Sequence, residues 1–240
     1  KWKKWQRRKW EMNTILKRIL FLLGLVILWE AVYKAAIWPE FIFPSPISVI
    51  KSTVEGISDG TYTTAFANSI RRLMTGYFIA VMLGLVLGGI ISISKTLEET
   101  LGMLIVAFQS IPSVVWLPLA MLWFSMGEAS IIFVVVIGGL FNMVINTLSG
   151  LKGIDPILVK AGENIGYKKL SLFIKIKLPA CLPSVITGAR LAWAFCFRAL
   201  MAAEVLGTGR GLGQILMWGR DMGNMKTVLS VMLMIAMTGM

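Results

Sequence analysis

Three stretches of this chain carry no charged residue: 73–94, 100–127 and 129–151. A helix rises 1.5 Å per residue, so each stretch is long enough to cross the roughly 30 Å of hydrocarbon in a bilayer. Helices satisfy their own backbone hydrogen bonds there, without water. The chain is 57% apolar and only 15% charged, with a mean hydropathy of +0.77. An ordinary soluble domain does not tolerate that balance. The sequence therefore predicts an all-α membrane protein, a single transmembrane domain over residues 1–240.

Spans are expected at 15–37, 73–93, within 100–124, at 131–148, at about 182–206 and from about 227 onward. Pro44-Ser45-Pro46 breaks the chain after the first span, and 47–67 reads as a mildly polar external helical connection. The last span holds 14 residues up to Met240, about 21 Å of helix, and is expected to continue beyond the sequence given.

Charge orients the spans. The net charge of +12 comes from 24 Lys and Arg against 12 Asp and Glu. The first eighteen residues hold eight Lys or Arg and one Glu, and residues 152–179 hold six Lys and two acids. The connection at 125–130 has no base. The positive-inside rule puts the N-terminus and the long basic loop in the cytoplasm, with six spans alternating from there. Arg71 and Arg72, at the outer end of the second span, run against this map. The Lys- and Trp-rich segment 1–14 suits anionic lipid and the headgroup layer, so lipid rather than nucleic acid is its expected partner. No cleavable signal is visible. Cys181 and Cys196 form no metal or disulfide pattern and read as small buried residues, and histidine is absent.

Several polar residues sit where lipid would otherwise surround them. Gly76, Ala80, Gly84 and Gly88 leave one helix face nearly bare, for close helix packing or for a pore lining. Gln109, Ser110, Pro112 and Pro118 interrupt the third span, as pathway residues or tolerated kinks. Asn142 and Asn146 share a face as interhelical glue or pathway lining. The fifth span holds Arg190, Arg198 and Glu204. A mid-membrane charge is costly and faces a bundle interior or a wet cavity. Arg190 is near enough to the cytoplasmic end to snorkel. Arg198 and Glu204, six positions apart, do not share a helix face, so each needs a partner elsewhere. The candidate translocation pathway is therefore Gln109, Ser110, Asn142, Arg198 and Glu204.

The basic loop 152–179 has internal order. Asp155 is placed as a helix N-cap with Pro156 at the first helical position, and Gly166 stands where a helix stop belongs. Its residues resemble the signature of the inner-membrane subunits of binding-protein-dependent ABC importers: EAA, three residues, G, nine residues, I-x-L-P. Here the EAA positions are Lys160-Ala161-Gly162, the glycine is Gly166 and the tail is Ile176-Lys177-Leu178-Pro179, with no gap. Lys160 replaces the acid, Glu163 lies close by, and Gly162 replaces the second alanine. Asn68-Ser69-Ile70-Arg71-Arg72, Ile111-Pro112, Phe124-Ser125-Met126-Gly127-Glu128, Gly188-Ala189-Arg190, Ala202-Ala203-Glu204 and Gly211-Leu212-Gly213 resemble the nitrate, sulfonate, taurine and bicarbonate branch.

The resemblance implies a type I importer permease in a bacterial cytoplasmic membrane, working as a homodimer with two ATPase subunits and an extracytoplasmic substrate-binding protein. Its solute would be a small anion such as a sulfonate, taurine or nitrate. Asp155, Lys160, Ala161, Gly162, Glu163, Gly166, Ile176, Leu178 and Pro179 would couple it to the ATPase. Small residues suit a helix pressed into a partner, and Leu178-Pro179 would stiffen the lead into the fifth span by discouraging helix before the proline. The chain has no G-x-x-x-x-G-K-[ST] loop, so ATP and Mg would be held by the partner, with no cofactor or metal in this chain. A self-sufficient ion-coupled transporter using Glu204 is the competing reading, although no inverted repeat is visible. An intramembrane enzyme would need an acid pair or an activated nucleophile that the sequence lacks.

Overall fold

A computed structural model describes residues 2–207 and 209–239, with side chains throughout except at 2–15, 169 and 170. The Lys and Trp side chains of the N-terminal anchor, Thr208 and Met240 thus lie outside the described residues. No strand occurs among the described residues. In chain order the helices are α1 (Trp2–Lys34), α2 (Pro46–Ser58), α3 (Thr61–Ile91), α4 (Lys95–Leu97), α5 (Met103–Gln109), α6 (Leu117–Phe124), α7 (Glu128–Lys152), α8 (Pro156–Asn164), α9 (Lys169–Leu172), α10 (Leu178–Leu206), α11 (Leu212–Asp221) and α12 (Met225–Gly239).

Among the described residues three helices are long and apolar enough to cross a membrane: α3, α7 and the continuous helix Phe173–Leu206. The expected third span is not one straight helix. Lys95–Gln109 and Ser113–Phe124 meet at 96° and make a fourth crossing only if the bent pair counts as one. The break falls at Pro112, which is extended at φ −55° and ψ 130°, offers no N–H and disfavours helix at the residue before it. Helix α12 is a shorter apolar helix. Phe21 and Ile27 on α1 are 68% exposed, as a lipid-facing helix requires.

The chain divides into two compact units. The first is Lys1–Tyr62 with Ile215–Met237. Ser45 caps α2 by accepting from Ser48 N at 3.2 Å, and Pro46 occupies the first turn. The expected connection 47–67 does not run through as one piece. Helix α2 stops at Asp59-Gly60, with Gly60 at φ 81°, and the Asp59 carboxylate accepts from Thr61 N at 2.8 Å to start α3. The second span therefore begins twelve residues before Leu73. Trp29 Nε1 donates to Pro44 O at 3.1 Å, and Ser230 Oγ to Val49 O at 3.0 Å.

The second unit is Thr63–Gln214 with Thr238–Met240. Its core is α3, α7 and α10 packed through small residues. Gly76 lies against Val135, Gly84 against Met143 and Gly88 against Thr147, so α3 and α7 run parallel. Gly138 meets Ala199, Gly139 meets Cys196, Gly188 meets Asn146 and Gly150 meets Ser184, so α7 and α10 run antiparallel. The Gly76–Gly88 stripe is thus a packing face against α7. Close backbone approach of this kind drives association where lipid removes the hydrophobic incentive.

Candidate functional site

At the Lys152 end of this core, α8 forms as the residues dictate. Asp155 Oδ1 accepts from Ile157 N at 2.8 Å, and Pro156 fills the first turn. At the other end Gly166 adopts φ 99°. Gly166 N donates to Glu163 O at 2.9 Å and Tyr167 N to Gly162 O at 3.1 Å, the paired bonds of a Schellman stop. Lys175 lies 4.9 Å from the centre of the Tyr167 ring and holds the returning chain.

The two small residues of α8 point differently. Gly162 is buried, and a Cβ there would sit 2.8 Å from Leu172 and 2.9 Å from Ile176. Its smallness lets α8 lie on the chain's own next helix, which corrects the expectation that it faces a partner. Lys160, Ala161 and Glu163 are exposed. So are Ile157 and Ile165, both 72% exposed, and Leu158 at 51%. Leu178-Pro179 also differs from expectation. Leu178 is helical at φ −63° and ψ −47°, and helix continues from Lys169 through Leu206. The turn Phe173–Lys177 is a π turn. Pro179 cannot donate to Lys175 O and its ring crowds that carbonyl; the wider turn accommodates both. Glu98 and Lys152 pair at this end of the core.

At the opposite end lies a buried ionic cluster. Glu204 is fully buried. Its carboxylate accepts from Arg72 Nη1 at 2.9 Å, from Ser69 Oγ at 2.7 Å and from Gly213 N at 3.1 Å. Ser69 Oγ accepts in turn from Leu212 N at 3.0 Å, and Asn68 Nδ2 donates to Arg210 O at 2.9 Å. Glu128, at the start of α7, pairs with Arg72 at 3.3 Å and with Arg71. A Cβ at Gly211 would collide with the Glu204 carboxylate, and one at Gly209 would meet Arg72 Nη1 at 2.9 Å. The Gly-rich loop has no side chains here because a carboxylate and a guanidinium occupy the space. Arg71 and Arg72 are therefore the cations of a three-helix clasp. Sequence reasoning missed Ser69, Arg72 and Glu128 as Glu204's surroundings. The usable signal was that a buried carboxylate needs a cation at its own level, and Arg72 starts a span at the level where Glu204 ends one.

The pathway candidates separate accordingly. Glu204 is enclosed by donors. Ser110 turns back on its own helix, donating to Ala107 O at 2.7 Å. Gln109, Asn142 and Arg198 line one cavity of about 300 Å³ between the broken third span, α7 and α10. Gln109 Nε2 donates to Asn142 Oδ1 at 2.9 Å. The Arg198 guanidinium lies 5.6 Å from the centre of the Phe195 ring. Asn146 donates to Asn142 O at 2.8 Å and is not part of that lining. No group of metal-binding side chains occurs among the described residues.

Comparison with known proteins gives this architecture a family. A model described as binding-protein-dependent transport system inner membrane component matches residues 80–240. A protein of Methanocaldococcus jannaschii that bears the name of an ABC transporter permease is 32% identical over 221 residues, 90% of this chain and 82% of the relative. The taurine transport system permease protein of Escherichia coli is 28% identical over 194 residues, 79% of this chain and 70% of the relative. Among solved structures, an inward-facing form of the MetNI methionine ABC transporter superposes with a TM-score of 0.67 at 19% identity, covering 75% of this chain and 89% of that one. That fold match and the family match over two spans, the α8 loop and the chain's C-terminal third lead to one conclusion: the chain belongs to the binding-protein-dependent transport system inner membrane components, the multi-pass permease subunits of ABC importers.

Proposed function

We propose that this permease carries a small anion of the sulfonate, taurine or nitrate type, handed to it by an extracytoplasmic binding protein. Two copies of the chain dock two ATPase subunits through α8, and ATP and Mg are held entirely by those subunits. The N-terminus and α8 lie on the cytoplasmic side, where the Lys and Arg excess belongs. Asp155, Lys160, Ala161, Glu163 and Gly166 shape and present the docking helix. Gly162, Ile176, Leu178 and Pro179 seat it on the helix that continues into the membrane.

The observation that carries this reading is α8 itself. It is capped at both ends, seated through Gly162, and presents Ile157, Leu158 and Ile165 to the outside. Exposed apolar side chains on a short rigid element mark an interaction surface. A helix that runs unbroken from Lys169 to Leu206 transmits displacement of that surface into the core. The competing ion-coupled reading needs Glu204 open to a coupling ion, and its lone pairs are occupied by Arg72, Ser69 and Gly213.

Proteoliposomes holding the permease and its ATPase test the reading. With loaded binding protein outside and ATP inside, ethanesulfonate uptake should follow ATP hydrolysis and ignore an imposed proton or sodium gradient. Uptake driven by either gradient without ATP would contradict it.

A further inference from the structure

The cavity at Gln109, Asn142 and Arg198 has a chemistry that the ATPase-coupling account leaves unused. Arg198 is the sole ionisable side chain in its lining. Among the described residues it forms no salt bridge, and Glu204 on the same helix pairs with Arg72 instead. Arg198 is exposed on the cavity side of its helix, so its charge is available to an anion that enters the cavity.

The remaining polar groups lean toward donation. The guanidinium supplies five N–H donors in a planar fork that fits oxyanions. Gln109 keeps one N–H after bonding Asn142, and Ser113 adds a hydroxyl. The rest of the lining is apolar, with Phe141 and Phe195 prominent. No carboxylate faces the cavity, so a ligand's ammonium group finds no charged partner there. One positive charge balances one negative charge, and a dianion would carry a second charge with no cationic partner in the lining.

We infer that this cavity is a solute subsite for a compact monovalent oxyanion with an uncharged tail. Arg198 grips the oxyanion, Gln109 and Ser113 orient it, and the aromatic wall takes the tail. The assignment rests on the permease reading above and narrows it: alkylsulfonates are preferred over aminoalkylsulfonates such as taurine, and both over sulfate.

The test is calorimetric titration of the permease–ATPase complex in lipid nanodiscs, without nucleotide and at fixed ionic strength. The probes are ethanesulfonate, taurine and sulfate. Wild type should bind ethanesulfonate most tightly and sulfate least. Arg198→Gln should weaken ethanesulfonate binding by about tenfold, the scale of a lost charge-assisted pair. Gln109→Glu should weaken it similarly and shift the preference toward taurine, whose ammonium gains a carboxylate partner. A loss below fivefold in Arg198→Gln, no measurable wild-type binding, or sulfate binding as tight as ethanesulfonate overturns the subsite. Should Arg198→Gln fail to assemble, Gln109→Glu decides by the same fivefold threshold. The permease reading fails separately, if loaded binding protein does not stimulate ATP hydrolysis by the wild-type complex.

Discussion

Replacing Glu204 by glutamine keeps the side chain's shape and removes its charge. The carboxylate accepts from Arg72, Ser69 and Gly213, and its 0% exposure leaves no water to substitute. An amide turns one acceptor into an NH2 group facing donors, and it strips Arg72, whose side chain is 3% exposed, of its nearest counter-charge. Breaking a buried pair from one side costs about 3–5 kcal/mol. For a chain of this length each kcal/mol moves the midpoint roughly 2–4 °C, so Glu204→Gln should lower the melting midpoint of the detergent-solubilised complex by roughly 6–20 °C. Loosening should begin in the Gly-rich loop, because Gly213 N loses its carboxylate acceptor and Ser69, which holds Leu212 N, loses the carboxylate it donates to. Trypsin should then cut after the exposed Arg210 at temperatures where wild type resists. Removing both charges, as in Arg72→Met with Glu204→Leu, should cost much less than the sum of the single changes, since a buried pair and an apolar replacement are nearly equivalent. A midpoint within about 2 °C of wild type for Glu204→Gln, or strictly additive single and double variants, would refute the clasp.

Two further substitutions follow from local geometry. Gly166→Val forces a β-branched residue to φ 99°, at a cost of about 1–2 kcal/mol or more; it should insert into membranes normally yet fail to retain the ATPase on affinity purification. Gly139→Leu places a side chain against Cys196 and Ala80 at the junction of α3, α7 and α10, and should abolish folded yield in fluorescence-detected size exclusion, whereas Gly24→Leu on α1, with nothing within 4 Å of its Cβ position, should not.

Local signals in the sequence carried far, and long-range ones did not. The charge-free runs located α3 and α7, because exclusion of charge from hydrocarbon is a property of the segment alone. Asp155-Pro156 and Gly166 located α8, because caps act within a turn. The spacing to Ile176 and Pro179 located the helix that α8 rests on, but not the direction Gly162 faces: a glycine looks the same whether it touches a partner or its own chain. Pro112 gave a break without its angle. Pro179 read as a helix boundary, yet a π turn absorbed it, an outcome set by the helix continuing on both sides. Arg72 and Glu204 lie 132 positions apart, and their pairing depends on α3 and α10 presenting the same end of the core, which no local pattern encodes.

On the proposed function, α8 is the surface that the ATPase grips. Both native cysteines are buried, so single cysteines can be introduced over a quiet background. Ile157→Cys and Ala161→Cys lie on exposed α8 positions, and Met126→Cys, at a residue 71% exposed, lies beyond the far end of α7, a helix about 37 Å long. Oxidation against a scan of cysteines over the ATPase surface should trap both α8 variants in a crosslinked band whose yield changes when ATP is bound, and should never trap Met126→Cys. Crosslinks from Met126→Cys, or none from α8 in a complex that hydrolyses ATP, would contradict the account.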